Sequence, residues 1–129
     1  MNRSTKRQRP INLNLRTMHF PLSAIVSILH RISGVIIFAG TSILLWMLKL
    51  STTSPEGFNY IIFMMQKNTF KVMIWGILTF FTYHSISGMR HVLMDFNYLK
   101  QSMLVGKITA SIVCLLTIIL SIVIGVVIW

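Results

Sequence analysis

The chain has 129 residues, of which 54% are hydrophobic, and its mean hydropathy is +0.74. It carries 12 lysines and arginines against two acidic residues, so its formal net charge is +10. This composition excludes an ordinary soluble domain and indicates a small integral membrane protein, in which basic residues collect on the cytoplasmic side. Nucleic-acid binding is therefore the weaker explanation of the charge.

We predict a single membrane-anchor domain, residues 1–129. It begins with a basic tail, residues 1–21. No short apolar region with a small-residue cleavage site follows, so we expect an uncleaved insertion signal. Three apolar segments follow, at about 22–50, 70–92 and 106–129. Each approaches the roughly 20 helical residues that a bilayer core of about 30 Å requires. The runs are continuous and too few for a barrel, so we predict an all-α membrane protein with three transmembrane helices.

Basic residues flank these spans unequally. A cytoplasmic N-terminus places eight of them inside: Arg3, Lys6, Arg7, Arg9, Arg16, Arg90, Lys100 and Lys107. Three then lie outside: Lys49, Lys67 and Lys71. The tryptophans fall at the outer helix ends, as an interfacial belt would: Trp46, Trp75 and Trp129. We therefore predict a cytoplasmic N-terminus and a periplasmic C-terminus.

The loop between the first two spans contains a helix-start signal. Ser54 is a suitable cap and Pro55 suits the first helical position. Apolar residues follow at spacings of three and four, so we predict a short helix in the interface.

The third span, which is almost entirely apolar, contains four small or hydroxylic residues: Ser111, Thr117, Ser121 and Gly125. They either admit a closely packed helix or bond to their own backbone, and both alternatives stay open.

A polar cluster on the second span points to a cofactor. His84, Gly88 and His91 share one helix face at i, i+4 and i+7. An imidazole beside a glycine suits haem, because a flat macrocycle needs a ligand and a neighbouring position without bulk. We favour His84 as a ligand, since imidazoles at membrane depth are rare and functional by default; the alternative is a hydrogen bond to another helix. We expect Arg90 and Asp95 at the membrane interface, with a local ion pair or helix cap for Asp95.

A second cluster lies on the first span, where Ser27, Arg31 and Gly34 have the same spacing. A hydroxyl and a guanidinium on one face suit a quinone carbonyl, because the cation stabilises the negative charge that develops on reduction. Alternatively, Arg31 pairs only with a haem propionate. His30 points about 100° away and is a propionate or ligand candidate.

Other chemistries fit poorly. The only acidic residues, Glu56 and Asp95, are expected on opposite sides of the membrane, which argues against a zinc site. No glycine-rich phosphate loop or nucleophile with a base is present, so we predict no catalytic residue.

Three motifs carry a family resemblance: Arg9-Pro10, Ser27-x-x-His30-Arg31-x-Ser33-Gly34, and His84-x-x-x-Gly88-x-Arg90-His91-x-x-x-Asp95. In order and spacing they resemble the cytochrome b556 membrane-anchor subunits of bacterial succinate dehydrogenase, respiratory complex II. The resemblance covers essentially the whole chain, and only Asn97 departs from the small residue expected in the loop.

The resemblance implies a role for each matching residue. His84 matches the axial ligand of haem b iron, with the other axial histidine supplied by a second small membrane subunit. Ser27 and Arg31 match residues lining the ubiquinone site, beside the iron–sulfur subunit. His30 and Arg31 lie where the family approaches the haem propionates.

The function implied is that of a non-catalytic subunit in the bacterial inner membrane. Such a complex oxidises succinate at a flavoprotein subunit and passes electrons through iron–sulfur clusters to ubiquinone. The alternatives are an anchor of a fumarate reductase and a non-redox helix-bundle membrane protein.

Overall fold

The computed structural model of the chain describes residues 21–99 and 102–129. They form four helices: α1 (Leu22–Thr53), α2 (Pro55–Met65), α3 (Asn68–Asp95) and α4 (Met103–Ile128). Helices α1, α3 and α4 are long and apolar enough to cross a membrane, so the described residues agree with the predicted all-α fold and provide its three candidate spans. The Arg9-Pro10 motif, the basic residues of the tail and Lys100 lie outside the described residues.

Helix α2 begins as its sequence predicts. The Ser54 hydroxyl accepts a hydrogen bond from the backbone N–H of Gly57 at 3.0 Å, and Pro55 occupies the first turn. Gly57 is buried, and a Cβ there would collide with the carbonyl of Leu50 at the end of α1. The tight turn between α1 and α2 therefore depends on a residue without a side chain.

Helix α3 packs against both α1 and α4 around a small core. The core residues come from all three helices: Val26, Tyr83, Ala110 and Val113. Most large apolar side chains lie on the outer surface instead, including Val35 at 71% and Phe38 at 79% exposure on α1. Such a surface requires lipid or other transmembrane helices around it.

Hydrogen bonds from a tryptophan and from hydroxyl side chains connect α3 to α4. The indole N–H of Trp75 donates to the carbonyl of Ser121 at 2.9 Å, and the hydroxyls of Thr79 and Ser121 are 2.9 Å apart. Ser111 and Thr117 bond instead to carbonyls of their own helix. The two alternatives left open for α4 are thus both realised, each by different residues.

Arg90 is only 5% exposed, and its depth relative to the membrane interface stays a prediction. Its Nε donates to the Thr109 hydroxyl at 2.9 Å and its Nη2 to the Gly106 carbonyl at 3.4 Å. The reason is the packing of α4, which covers this part of α3 and presents two oxygen acceptors to the guanidinium.

The C-terminal end of α3 differs from expectation. Asp95 is exposed, and within the described ranges 21–99 and 102–129 its side chain forms no ion pair; the helix end is capped by the backbone N–H of Phe96. Asn97 follows the helix with φ 58°, in the left-handed region where glycine and asparagine are favoured after a helix. Asparagine therefore suits this turn although the family resemblance led us to expect a smaller residue.

Candidate functional site

Two histidines from different helices lie side by side. The rings of His30 on α1 and His84 on α3 stack with centroids 4.1 Å apart and planes inclined by 15°. His91 lies about two turns further along the same face of α3, and its ring centroid is 5.2 Å from that of His30. Within the described part of the chain, no group of three or more His, Cys, Asp or Glu side chains is arranged to hold a metal ion. A bare metal site built by the described residues alone is therefore a poor explanation of the cluster.

Hydrogen bonds determine which nitrogen of His84 carries the proton. Its Nδ1 lies 3.2 Å from the carbonyl oxygen of His30 and 3.0 Å from the hydroxyl oxygen of Ser33. A carbonyl only accepts, so Nδ1 carries the hydrogen and donates it. The lone pair then lies on Nε2, the nitrogen at the far end of the ring, which is the form in which histidine binds a metal.

Each histidine lies over a glycine of the opposite helix. A Cβ on Gly34 would be 3.2 Å from Cε1 of His84, and a Cβ on Gly88 would be 3.5 Å from Nε2 of His30. Small residues let transmembrane helices approach closely, and here they make room for the imidazoles. That Gly88 also leaves room for a flat macrocycle stays a prediction.

The Nε2 atom of His30 lies in an unusual environment for a polar atom. It is buried and has no hydrogen-bond partner among the described residues. Buried polar atoms nearly always have a partner, so this nitrogen needs an explanation. A group that binds beside the histidine pair and offers an acceptor or donor would provide one.

The other two predicted site residues, Ser27 and Arg31, lie one turn apart on α1. Arg31 is exposed and Ser27 is partly buried, and neither side chain bonds to another described residue. Among the described residues, the cation and the hydroxyl on adjacent turns thus have no side-chain partner. The structure thus brings His30 and His84 together, and leaves Ser27 and Arg31 on an open face beside them.

Sequence reasoning missed a second polar stripe on α3. Tyr83, Ser87 and Arg90 are buried and share the spacing i, i+4 and i+7. The Tyr83 hydroxyl donates to the Val26 carbonyl at 2.8 Å, across to α1. The signal was present in the sequence, because this stripe precedes the His84, Gly88 and His91 stripe by one residue. Ser33 was part of a motif, but its bond to His84 was not foreseen.

Comparisons with known proteins agree with the motifs. Residues 5–124 match the family described as succinate dehydrogenase/fumarate reductase transmembrane subunit. The chain is 35% identical over 123 residues to a Coxiella burnetii protein named succinate dehydrogenase cytochrome b556 subunit, covering 95% of this chain and 98% of the relative. It is 39% identical over 90 residues to a Porphyra purpurea succinate dehydrogenase cytochrome b560 subunit, covering 67% and 71%. A Paracoccus denitrificans cytochrome b556 subunit is 31% identical over 90 residues, covering 70% and 69%.

Proposed function

We propose that this chain, which belongs to the succinate dehydrogenase/fumarate reductase transmembrane subunit family, binds haem b and ubiquinone and anchors the flavoprotein and iron–sulfur subunits. It is a cytochrome b membrane subunit of succinate dehydrogenase, and such a subunit is non-catalytic within the complex. Its three long apolar helices agree with a multi-pass protein of the bacterial inner membrane.

The observation that carries the haem proposal is the hydrogen bonding of His84. Its Nδ1 donates to the carbonyl of His30, which leaves the Nε2 lone pair for an iron ion. Gly34 supports this, because the space beside His84 would be filled by a Cβ. When bound, the haem supplies one-electron transfer, and His84 is the residue of this chain that would hold its iron.

The second axial ligand is proposed to be a histidine of the other small membrane subunit. A haem iron held by His84 would take a second histidine as its other ligand. His30 instead lies face to face with His84, with nearly parallel planes. This arrangement does not suit His30 as the opposing ligand, which supports a ligand set shared between subunits.

His30 and Arg31 are proposed to contact the haem propionates. The buried, unpartnered Nε2 of His30 would gain a carboxylate acceptor, and the exposed guanidinium of Arg31 would gain an anionic partner. Both groups would then hold the haem in place without ligating its iron.

Ser27 and Arg31 are proposed to bind the substrate ubiquinone. The Ser27 hydroxyl is a suitable donor to a quinone carbonyl, and the Arg31 guanidinium would stabilise the negative charge that develops as the quinone is reduced. Both residues lie on an open face of α1, so a partner would have to complete the site. The iron–sulfur subunit, as the source of electrons, is the proposed partner.

The proposed orientation of the chain in the membrane determines on which side the quinone site lies. A cytoplasmic N-terminus and a periplasmic C-terminus place Ser27 and Arg31, near the start of α1, toward the cytoplasm. Soluble subunits that deliver electrons from succinate would dock on that side. The excess of basic residues in the predicted cytoplasmic segments supports this arrangement.

The absorption spectrum of the purified complex tests the haem proposal. Replacing His84 with leucine should abolish or strongly perturb the reduced b-type spectrum, because the iron loses its ligand from this chain. Phe81→Leu, which alters an exposed side chain of the same helix, is the matched control. A His84→Leu complex with the native spectrum would overturn the assignment.

A fumarate reductase anchor remains the second candidate, because the family description includes fumarate reductase. The relatives described above carry succinate dehydrogenase names, which favours the succinate-oxidising direction. Two activities of the purified complex distinguish a succinate dehydrogenase from a fumarate reductase. They are the rate of succinate oxidation by ubiquinone and the rate of fumarate reduction by a low-potential quinol.

A further inference from the structure

We propose that Ser33 is a positioning residue for the haem: its hydroxyl holds the imidazole of His84 in the tautomer and orientation that presents Nε2 to iron. This inference rests on the proposed function, because it assumes that His84 is the ligand. It goes further by assigning a role to a residue whose contribution neither the sequence motifs nor the comparisons define.

The hydroxyl of Ser33 sits between two groups of the site. The side chain is completely buried, with 0% exposure. Its Oγ lies 2.7 Å from the carbonyl of His30, one turn earlier on α1, and 3.0 Å from Nδ1 of His84 on α3. Many helical serines bond to their own backbone, but this one also reaches the imidazole of another helix.

The hydrogens can be assigned by counting donors. The serine has one hydrogen, and the short distance to the His30 carbonyl assigns it there, since the carbonyl has none to offer. The Ser33 oxygen therefore accepts the hydrogen on Nδ1 of His84, which it shares with the same carbonyl at 3.2 Å. Two acceptors then face Nδ1, and the carbonyl is the one that can only accept.

Acceptors at Nδ1 change the chemistry of Nε2. They draw the Nδ1 hydrogen outward and raise the basicity of the ring, which strengthens its bond to a metal. A more basic ligand favours the oxidised iron over the reduced iron, so it lowers the reduction potential. Removing the Ser33 acceptor should therefore raise the haem potential and weaken haem retention.

The experiment compares three variants in the purified, assembled complex. Ser33→Ala removes the hydroxyl, and Ser33→Cys replaces it with a thiol, which is a weak acceptor of similar shape. Ser42→Ala is the matched control, because Ser42 lies on the same helix and its hydroxyl bonds only to its own helix, on an exposed surface. The readouts are a potentiometric titration of the haem and the rate of haem loss to an acceptor protein.

We expect Ser33→Ala to shift the haem potential to more positive values and to speed haem loss about tenfold or more. Ser33→Cys should shift both quantities in the same direction by less, and it decides the question if the alanine variant does not assemble. Ser42→Ala should match the native complex.

Two results would overturn the inference, and they are distinguishable. If the native complex holds a haem that His84→Leu removes, yet the Ser33 variants match Ser42→Ala in potential and retention, Ser33 has no positioning role and the proposed function stands. If the native complex holds no haem that depends on His84, the proposed function fails, and the inference fails with it.

Discussion

The imidazole rings of His30 and His84 lie face to face, with centroids 4.1 Å apart and planes inclined by 15°. This contact joins α1 to α3, and each ring lies over a glycine of the other helix, Gly34 or Gly88. The side chain of one histidine and the backbone of the other are also linked, because the His30 carbonyl accepts from Nδ1 of His84. A change in the spacing of the two helices would therefore move the proposed ligand directly.

The first prediction concerns Gly34. In Gly34→Ala the new Cβ would lie 3.2 Å from Cε1 of His84, so the ring must shift by a few tenths of an ångström. We expect an altered reduced spectrum and weaker haem retention in the purified complex. Gly76→Ala is the control, since no heavy atom lies within 4 Å of a Cβ there. A Gly34→Ala complex indistinguishable from Gly76→Ala would contradict the close fit.

The second prediction separates the quinone site from the haem. Arg31→Leu should mainly reduce ubiquinone reductase activity, because a cation beside the developing negative charge is lost. Succinate oxidation with an artificial acceptor that takes electrons from the soluble subunits should survive. Arg31→Lys keeps the charge and should lose less activity. Normal ubiquinone reduction by Arg31→Leu would count against this role.

The third prediction concerns the buried Arg90. Arg90→Leu removes the bonds from α3 to Thr109 and Gly106 on α4. Such bonds within membranes contribute about 0.6–2 kcal/mol each, so we expect a lower thermal midpoint for the assembled complex. Lys107→Leu, which removes an exposed cation of α4, should have a smaller effect. Equal midpoints for the two variants would show that the bonds of Arg90 do not stabilise the bundle.

The fourth prediction concerns Tyr83. Tyr83→Phe removes the buried hydrogen bond to the Val26 carbonyl while keeping the ring in the core. We expect a loss of about 1 kcal/mol, seen as a modest drop in thermal midpoint. Tyr60→Phe, which alters a tyrosine that is 48% exposed on α2, should leave the midpoint unchanged. If both variants melt like the native complex, the bond contributes little.

The fifth prediction is local to α2. Ser54→Ala removes the side chain that accepts from the Gly57 N–H, and loss of such a cap costs about 1 kcal/mol. We expect faster amide hydrogen exchange across the first turn of α2. Ser51→Ala, whose hydroxyl bonds to the Leu48 carbonyl within α1, is the control. Unchanged exchange in the Ser54 variant would show that neighbouring contacts alone hold this turn.

Local patterns account for the features that were predicted correctly. A span is recognised from apolar residues adjacent in sequence, and the start of α2 depends on Ser54 and Pro55 beside it. The burial of Arg90, which the sequence did not predict, depends on a neighbouring helix instead. The guanidinium bonds to Gly106 and Thr109 on α4, which lie sixteen and nineteen positions further along the chain.

The sequence by itself determined three apolar spans and the shared face of His84, Gly88 and His91, because hydrophobic run length and helical periodicity are properties of one segment. Only the tertiary structure decided which tautomer of His84 is present and that His30 stacks on it. Those features join residues about fifty positions apart, and they depend on how α1 and α3 are rotated and aligned against each other. No local pattern encodes that alignment, since close packing over Gly34 and Gly88 sets it.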